Sequence, residues 1–88
     1  MARYEVFFKP SVDRKLRKLP RDVQRRVVRD VAALAFDPRP PGAVKLVGAE
    51  NVWRIRTGNH RIVYEIQDDR LIVLILRVAH RKDVYRDT

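Results

Sequence analysis

A two-residue turn constrains this chain more than any other feature. Val52-Trp53-Arg54-Ile55-Arg56-Thr57 alternates apolar and charged residues, Gly58-Asn59 follows, and His60-Arg61-Ile62-Val63-Tyr64-Glu65-Ile66 alternates again. The pattern is that of a β-hairpin, and a two-residue loop sets its register. Thr57 then lies opposite His60, Arg56 opposite Arg61, Ile55 opposite Ile62, Arg54 opposite Val63 and Trp53 opposite Tyr64. Successive side chains point to opposite faces, so Trp53, Ile55, Ile62 and Tyr64 share one face and Arg54, Arg56 and Arg61 the other. Like charges directly across a sheet repel by a few tenths to ~1 kcal/mol. Three guanidinium groups on one face therefore point to an anion that docks there, and phosphate fits their planar fork.

The rest of the chain supplies a cover for the apolar face. Tyr4 to Phe8 is short, aromatic and branched, and reads as a first strand stopped by Pro10 and Ser11. From about Ser11 to Lys18 the residues Val12, Leu16 and Leu19 recur at helical spacing, with Asp13 in the first turn. Pro20 suits the first position of a second helix, in which Val23, Val27, Val28, Val31, Leu34 and Ala35 form a stripe that ends near Phe36. Asp37-Pro38-Arg39-Pro40-Pro41-Gly42 breaks the helix, and a loop is expected to continue to about Asn51. After the hairpin, Gln67-Asp68-Asp69-Arg70 makes a second turn. Leu71 to Val78 is almost wholly apolar, on both faces, as in a strand inside a sheet. The expected fold is α+β: one strand, a two-helix hairpin, then a three-stranded antiparallel meander, with both helices on one face of a small, mainly antiparallel sheet.

Residues 1–88 read as a single domain with one modest core. Cysteine is absent, and two histidines among scattered carboxylates show no metal-ligand spacing, so no metal or other cofactor is expected. There is no run of roughly 18 apolar residues and no signal-peptide pattern, which reads as a soluble cytoplasmic protein with no membrane partner. A net charge of +9, with arginine outnumbering lysine fifteen to five, favours polyanionic partners.

The order of elements, the Lys45-Leu46-x-Gly48 loop, the Trp53-Arg54-Ile55-Arg56 and Arg61-Ile62-Val63-Tyr64 strands and the closing His80-Arg81-x-x-x-Tyr85 resemble the RelE/ParE superfamily of bacterial and archaeal toxins. The similarity spans nearly the whole chain and is strongest from residue 45 onward. For RelE-like members it implies ribosome-dependent cleavage of messenger RNA in the A site, in which the ribose 2′-hydroxyl attacks the adjacent phosphate and leaves a 2′,3′-cyclic phosphate. By that resemblance Arg61 holds the scissile phosphate, Arg81 stabilises the leaving group and transition state, and Tyr85 stacks on or orients the substrate. Arg54 and Arg56 fall where RelE carries two lysines. An arginine stays protonated and is a poor general base, so catalysis is expected to rest on charge stabilisation and positioning.

His80 has the intrinsic pKa for proton transfer and is a candidate acid or base, against the alternative that it caps the strand end. Lys45 and Lys82 are further candidate substrate contacts. The resemblance also implies a cognate antitoxin with an acidic or amphipathic segment, beside the ribosome and messenger RNA. Two other functions stay open: a ParE-like inhibitor of DNA gyrase without nuclease activity, and a catalytically inactive basic binding relative.

Overall fold

The computed structural model describes residues 3–84. The chain runs β1 (Glu5–Phe8), α1 (Pro10–Arg17), α2 (Arg21–Leu34), β2 (Val44–Lys45), β3 (Val52–Thr57), β4 (His60–Gln67), β5 (Ile72–His80) and α3 (Arg81–Val84). The five strands form one sheet in the order β1-β5-β4-β3-β2. β3, β4 and β5 make the antiparallel meander, and β1 lies parallel to β5 at the far edge.

The helices form where the sequence has proline to start them and an apolar stripe to anchor them. Pro10 occupies the first turn of α1, where its missing N–H would have had no partner in any case. Asp13 pairs with Arg17 one turn later at 3.0 Å, an exposed contact worth a few tenths of a kcal/mol. Gln24 reaches back from α2 and donates through Nε2 to the Leu19 carbonyl at 2.7 Å, which fixes the corner between the helices. Val12 and Leu16 from α1, with Val27, Val31 and Leu34 from α2, are buried against Ile55, Ile62, Tyr64, Ile66, Val73, Ile75 and Val78 of the sheet. Truncating one of these large side chains, such as Ile62→Ala, is expected to cost about 2–5 kcal/mol.

The structure corrects several boundaries. Pro20 is the N-cap of α2, one residue before the helix, and α2 stops at Leu34 rather than near Phe36. Val44 and Lys45, read as loop, form a two-residue edge strand against Trp53 and Arg54. β5 starts at Ile72 and extends to His80, two residues beyond the expected end, and the chain then enters α3.

A brace at the β1 end ties the proline-rich loop to the sheet. Arg39 donates two hydrogen bonds to the Asp68 carboxylate, at 2.8 and 3.2 Å, and its guanidinium sits 5.5 Å from the centre of the Trp53 ring. Tyr4 donates to the same carboxylate at 2.6 Å. The hydrogen bonds from Arg39, and after them the one from Tyr4, hold the Asp68 carboxyl down at about 2. The buried Tyr64 hydroxyl donates to the Pro38 carbonyl at 2.7 Å, and desolvation pushes its pKa up to about 12. Trp53 and Tyr64 are thus structural, on the face that the helices cover.

Candidate anion-binding face

The β3–β4 hairpin has the register expected from its two-residue turn. Thr57 pairs with His60, Arg56 with Arg61, Ile55 with Ile62, Arg54 with Val63 and Trp53 with Tyr64. Gly58 has φ +59°, a conformation in which a side chain would be strained. It also admits Arg26 of α2, whose Nη1 stands 2.5 Å from where a Cβ would be.

Alternation then sorts the candidates. Arg54, Arg56 and Arg61 lie on the face away from the helices, with Arg56 and Arg61 directly opposite one another. Arg56 curls back to donate from Nε to the Gly58 carbonyl at 3.2 Å. Arg61 Nη1 is buried without a hydrogen-bond partner, a condition that typically costs about 1–3 kcal/mol until an acceptor arrives. Among the described residues no carboxylate forms a salt bridge with Arg54, Arg56, Arg61 or Arg81.

Arg81 begins α3, which packs against β4 and β5. Its backbone N–H donates to the Asn59 carbonyl at 2.7 Å, so the arginine is tied to the very turn that joins the Arg56 and Arg61 strands. Arg81 and Lys82 are both exposed. Tyr85 lies outside the described residues.

Two candidates stand away from this face. Lys45 pairs with Trp53 in register and so belongs to the helix side of the sheet's edge. His80 pairs with His60, which shares the parity of Ile62, and its Nδ1 accepts a hydrogen bond from the Lys82 backbone N–H at 3.2 Å. The imidazole thus caps the start of α3.

The sequence reading missed Arg77. By strict alternation from Ile75 it would point into the core, yet Ile75 pairs with Tyr64 while Arg77 pairs with Val63. Leu76 is the extra residue of a β-bulge, which turns Arg77 onto the arginine face, in line with Arg54 across Val63. A lone arginine at a core position of an otherwise apolar strand was the available signal that the phase slips there. Among the described residues no cluster of three potential metal ligands occurs, and no helix is long and apolar enough to cross a membrane.

A short basic chain whose two helices back a meander, and whose other face gathers arginines, defines a class: the small α+β toxins of toxin–antitoxin pairs. Residues 6–85 match the family described as ParE toxin of type II toxin-antitoxin system, parDE. The chain is 34% identical over 84 residues to Toxin RelG of Mycobacterium tuberculosis, covering 94% of this chain and 97% of that protein. Its structure is similar to the archaeal RelE–RelB complex from Pyrococcus horikoshii, with a TM-score of 0.81 at 27% identity over 92% of this chain and 97% of that one. It is also similar to the toxin–antitoxin complex RelBE2 of Mycobacterium tuberculosis, with a TM-score of 0.76 at 33% identity over 90% of this chain and 99% of that one. The chain belongs to the RelE/ParE superfamily and is a RelE-like toxin of the type II toxin–antitoxin class.

Proposed function

We propose that this toxin is an endoribonuclease that cleaves messenger RNA in the ribosomal A site without a metal ion. The observation that carries the reading is the arginine face itself: Arg54, Arg56 and Arg61 in register on one side of the hairpin, none in a salt bridge with a described carboxylate, with a buried Arg61 N–H lacking an acceptor. Such a face costs stability in the free protein and recovers it when a phosphate docks.

In the reaction the 2′-hydroxyl loses its proton and attacks phosphorus, the P–O5′ bond breaks, and the 5′-oxygen takes up a proton. The products are a 2′,3′-cyclic phosphate and a 5′-hydroxyl. Arg61 holds the scissile phosphate, and Arg81 meets the negative charge that grows on the equatorial and leaving oxygens. Arg54 and Arg56, joined by Lys82, hold the neighbouring phosphates, and Tyr85 orients a base. All four arginines keep their protons throughout, so the chain contributes position and charge, and water carries the protons.

The related RelE–RelB and RelBE2 structures are complexes with antitoxins. By analogy this chain, at +9, binds a cognate antitoxin through an acidic or amphipathic segment. Primer extension on translated messages tests the nuclease reading. Wild-type toxin should give discrete stops within codons, and an Arg61→Ala, Arg81→Ala double variant should give none. Intact messages together with inhibited gyrase supercoiling would overturn it in favour of a ParE-like inhibitor.

A further inference from the structure

Where β5 ends, two histidines meet. His60 opens β4 directly opposite His80, and their rings stand edge to face with centroids 5.3 Å apart and planes at 82°. His80 Nδ1 accepts the Lys82 N–H at 3.2 Å, and one residue earlier the Arg81 N–H donates to the Asn59 carbonyl at 2.7 Å. The first N–H groups of a helix have no partner inside it. Here the first two of α3 are both satisfied from outside, one by the hairpin turn and one by an imidazole.

α3 has four residues, far too few to hold a helix by its own hydrogen bonds. Its place on the sheet therefore depends on anchors, and these two lie on either side of the Arg81 Cα. We propose that the His60–His80 pair is a clamp that positions Arg81, with His80 acting as a positioning residue through the α3 backbone rather than as a proton carrier to the substrate. Accepting at Nδ1 requires an imidazole whose proton sits on Nε2, and the edge-to-face contact with His60 holds the ring in the plane that presents Nδ1 to Lys82. The register also assigns His80 to the helix side of the sheet, away from the phosphate that Arg61 would hold. The effect on cleavage rests on the ribonuclease reading; the clamp itself does not.

Three variants test it. His80→Ala should lower the cleavage rate at saturating ribosomes about 10- to 100-fold, the scale of a small misplacement of a catalytic group, with KM changed less than about twofold. In the free protein, amide exchange at Arg81 and Lys82 should rise about tenfold or more while core amides stay protected. An asparagine oxygen can accept the same N–H, so His80→Asn should bring the rate back to within about threefold of wild type. His60→Ala, which removes the ring support, should lower it about three- to tenfold. A His80→Asn variant as inactive as His80→Ala would overturn the clamp and make the imidazole a proton carrier, and unchanged exchange at Arg81 and Lys82 would overturn it whatever the activity. If wild-type toxin leaves translated messages intact, the ribonuclease reading fails and the exchange experiment still decides the clamp.

Discussion

Arg39 and Arg61 are the same residue type in opposite circumstances. Arg39 is bonded twice to Asp68 and stacked over Trp53, so its charge is spent on holding the proline-rich loop. Arg61 faces another arginine across the sheet and has a buried N–H with no acceptor. At one end of the sheet Arg39 is neutralised, and at the other Arg61 stays available. Net charge does not show where a basic protein binds, because only cations left without internal partners can give their full attraction to a ligand.

The largest effects should come from exchanging those roles. Arg81→Ala is expected to lower cleavage by about one to three orders of magnitude, measured by primer extension, and to leave the melting temperature within a degree or so. Arg39→Ala should do the reverse: a clearly lower melting temperature, with unchanged cleavage per folded molecule. A loss of cleavage in Arg39→Ala at full stability would break the comparison.

Next in size is Tyr64→Phe. It leaves the Pro38 carbonyl without its buried donor and is expected to destabilise the fold by about 1–3 kcal/mol in urea unfolding.

Asp68 gives the brace a pH signature. Its folded pKa of about 2 lies below the ordinary 3.8, so the brace contributes fully above about pH 4 and is lost as pH falls towards 2. Melting temperatures recorded from pH 5 to pH 2 should fall through that window, and Asp68→Asn should flatten the fall. A variant that keeps the wild-type slope would assign the acid sensitivity to other carboxylates.

The smallest effect expected is on the arginine face at rest. Sulfate near its Kd should stabilise the protein by about 0.4 kcal/mol over chloride of equal ionic strength. Replacing Arg56 with glutamine should abolish that difference and slightly raise stability in chloride. Equal melting curves in the two salts for the wild type would mean that the face holds no anion on its own.

Much of this arrangement could be read from the residues because it is local. The hairpin register follows from Gly58-Asn59, and the helix stripes follow from the spacing of Val27, Val31 and Leu34. What escaped depends on distant or one-residue events. Val44 and Lys45 become a strand only because Trp53 and Arg54 offer an edge. The brace joins Tyr4, Arg39 and Asp68, which no short pattern links. Arg77 reaches its face through a single extra residue at Leu76, and a side-chain period of two cannot show where such a slip falls. For His80 the residues left proton transfer and capping both open, and what they could not show is the Lys82 N–H that turns back to its Nδ1.

The parallel pairing of β1 with β5 has a consequence for how the molecule is born. Among the described strands the first in the chain, β1, joins the sheet through the last, β5, residue for residue from Glu5 opposite Ile72 to Phe8 opposite Ile75. The first contact to be needed is thus among the last to become available, which is slow for any chain and certain to be deferred during synthesis. Arg81 follows β5 by one residue. A nascent chain long enough to form both helices and the arginine hairpin still lacks the sheet's closing strand and the guanidinium beyond it. On this topology the arginine face is completed only after β5 has joined the sheet.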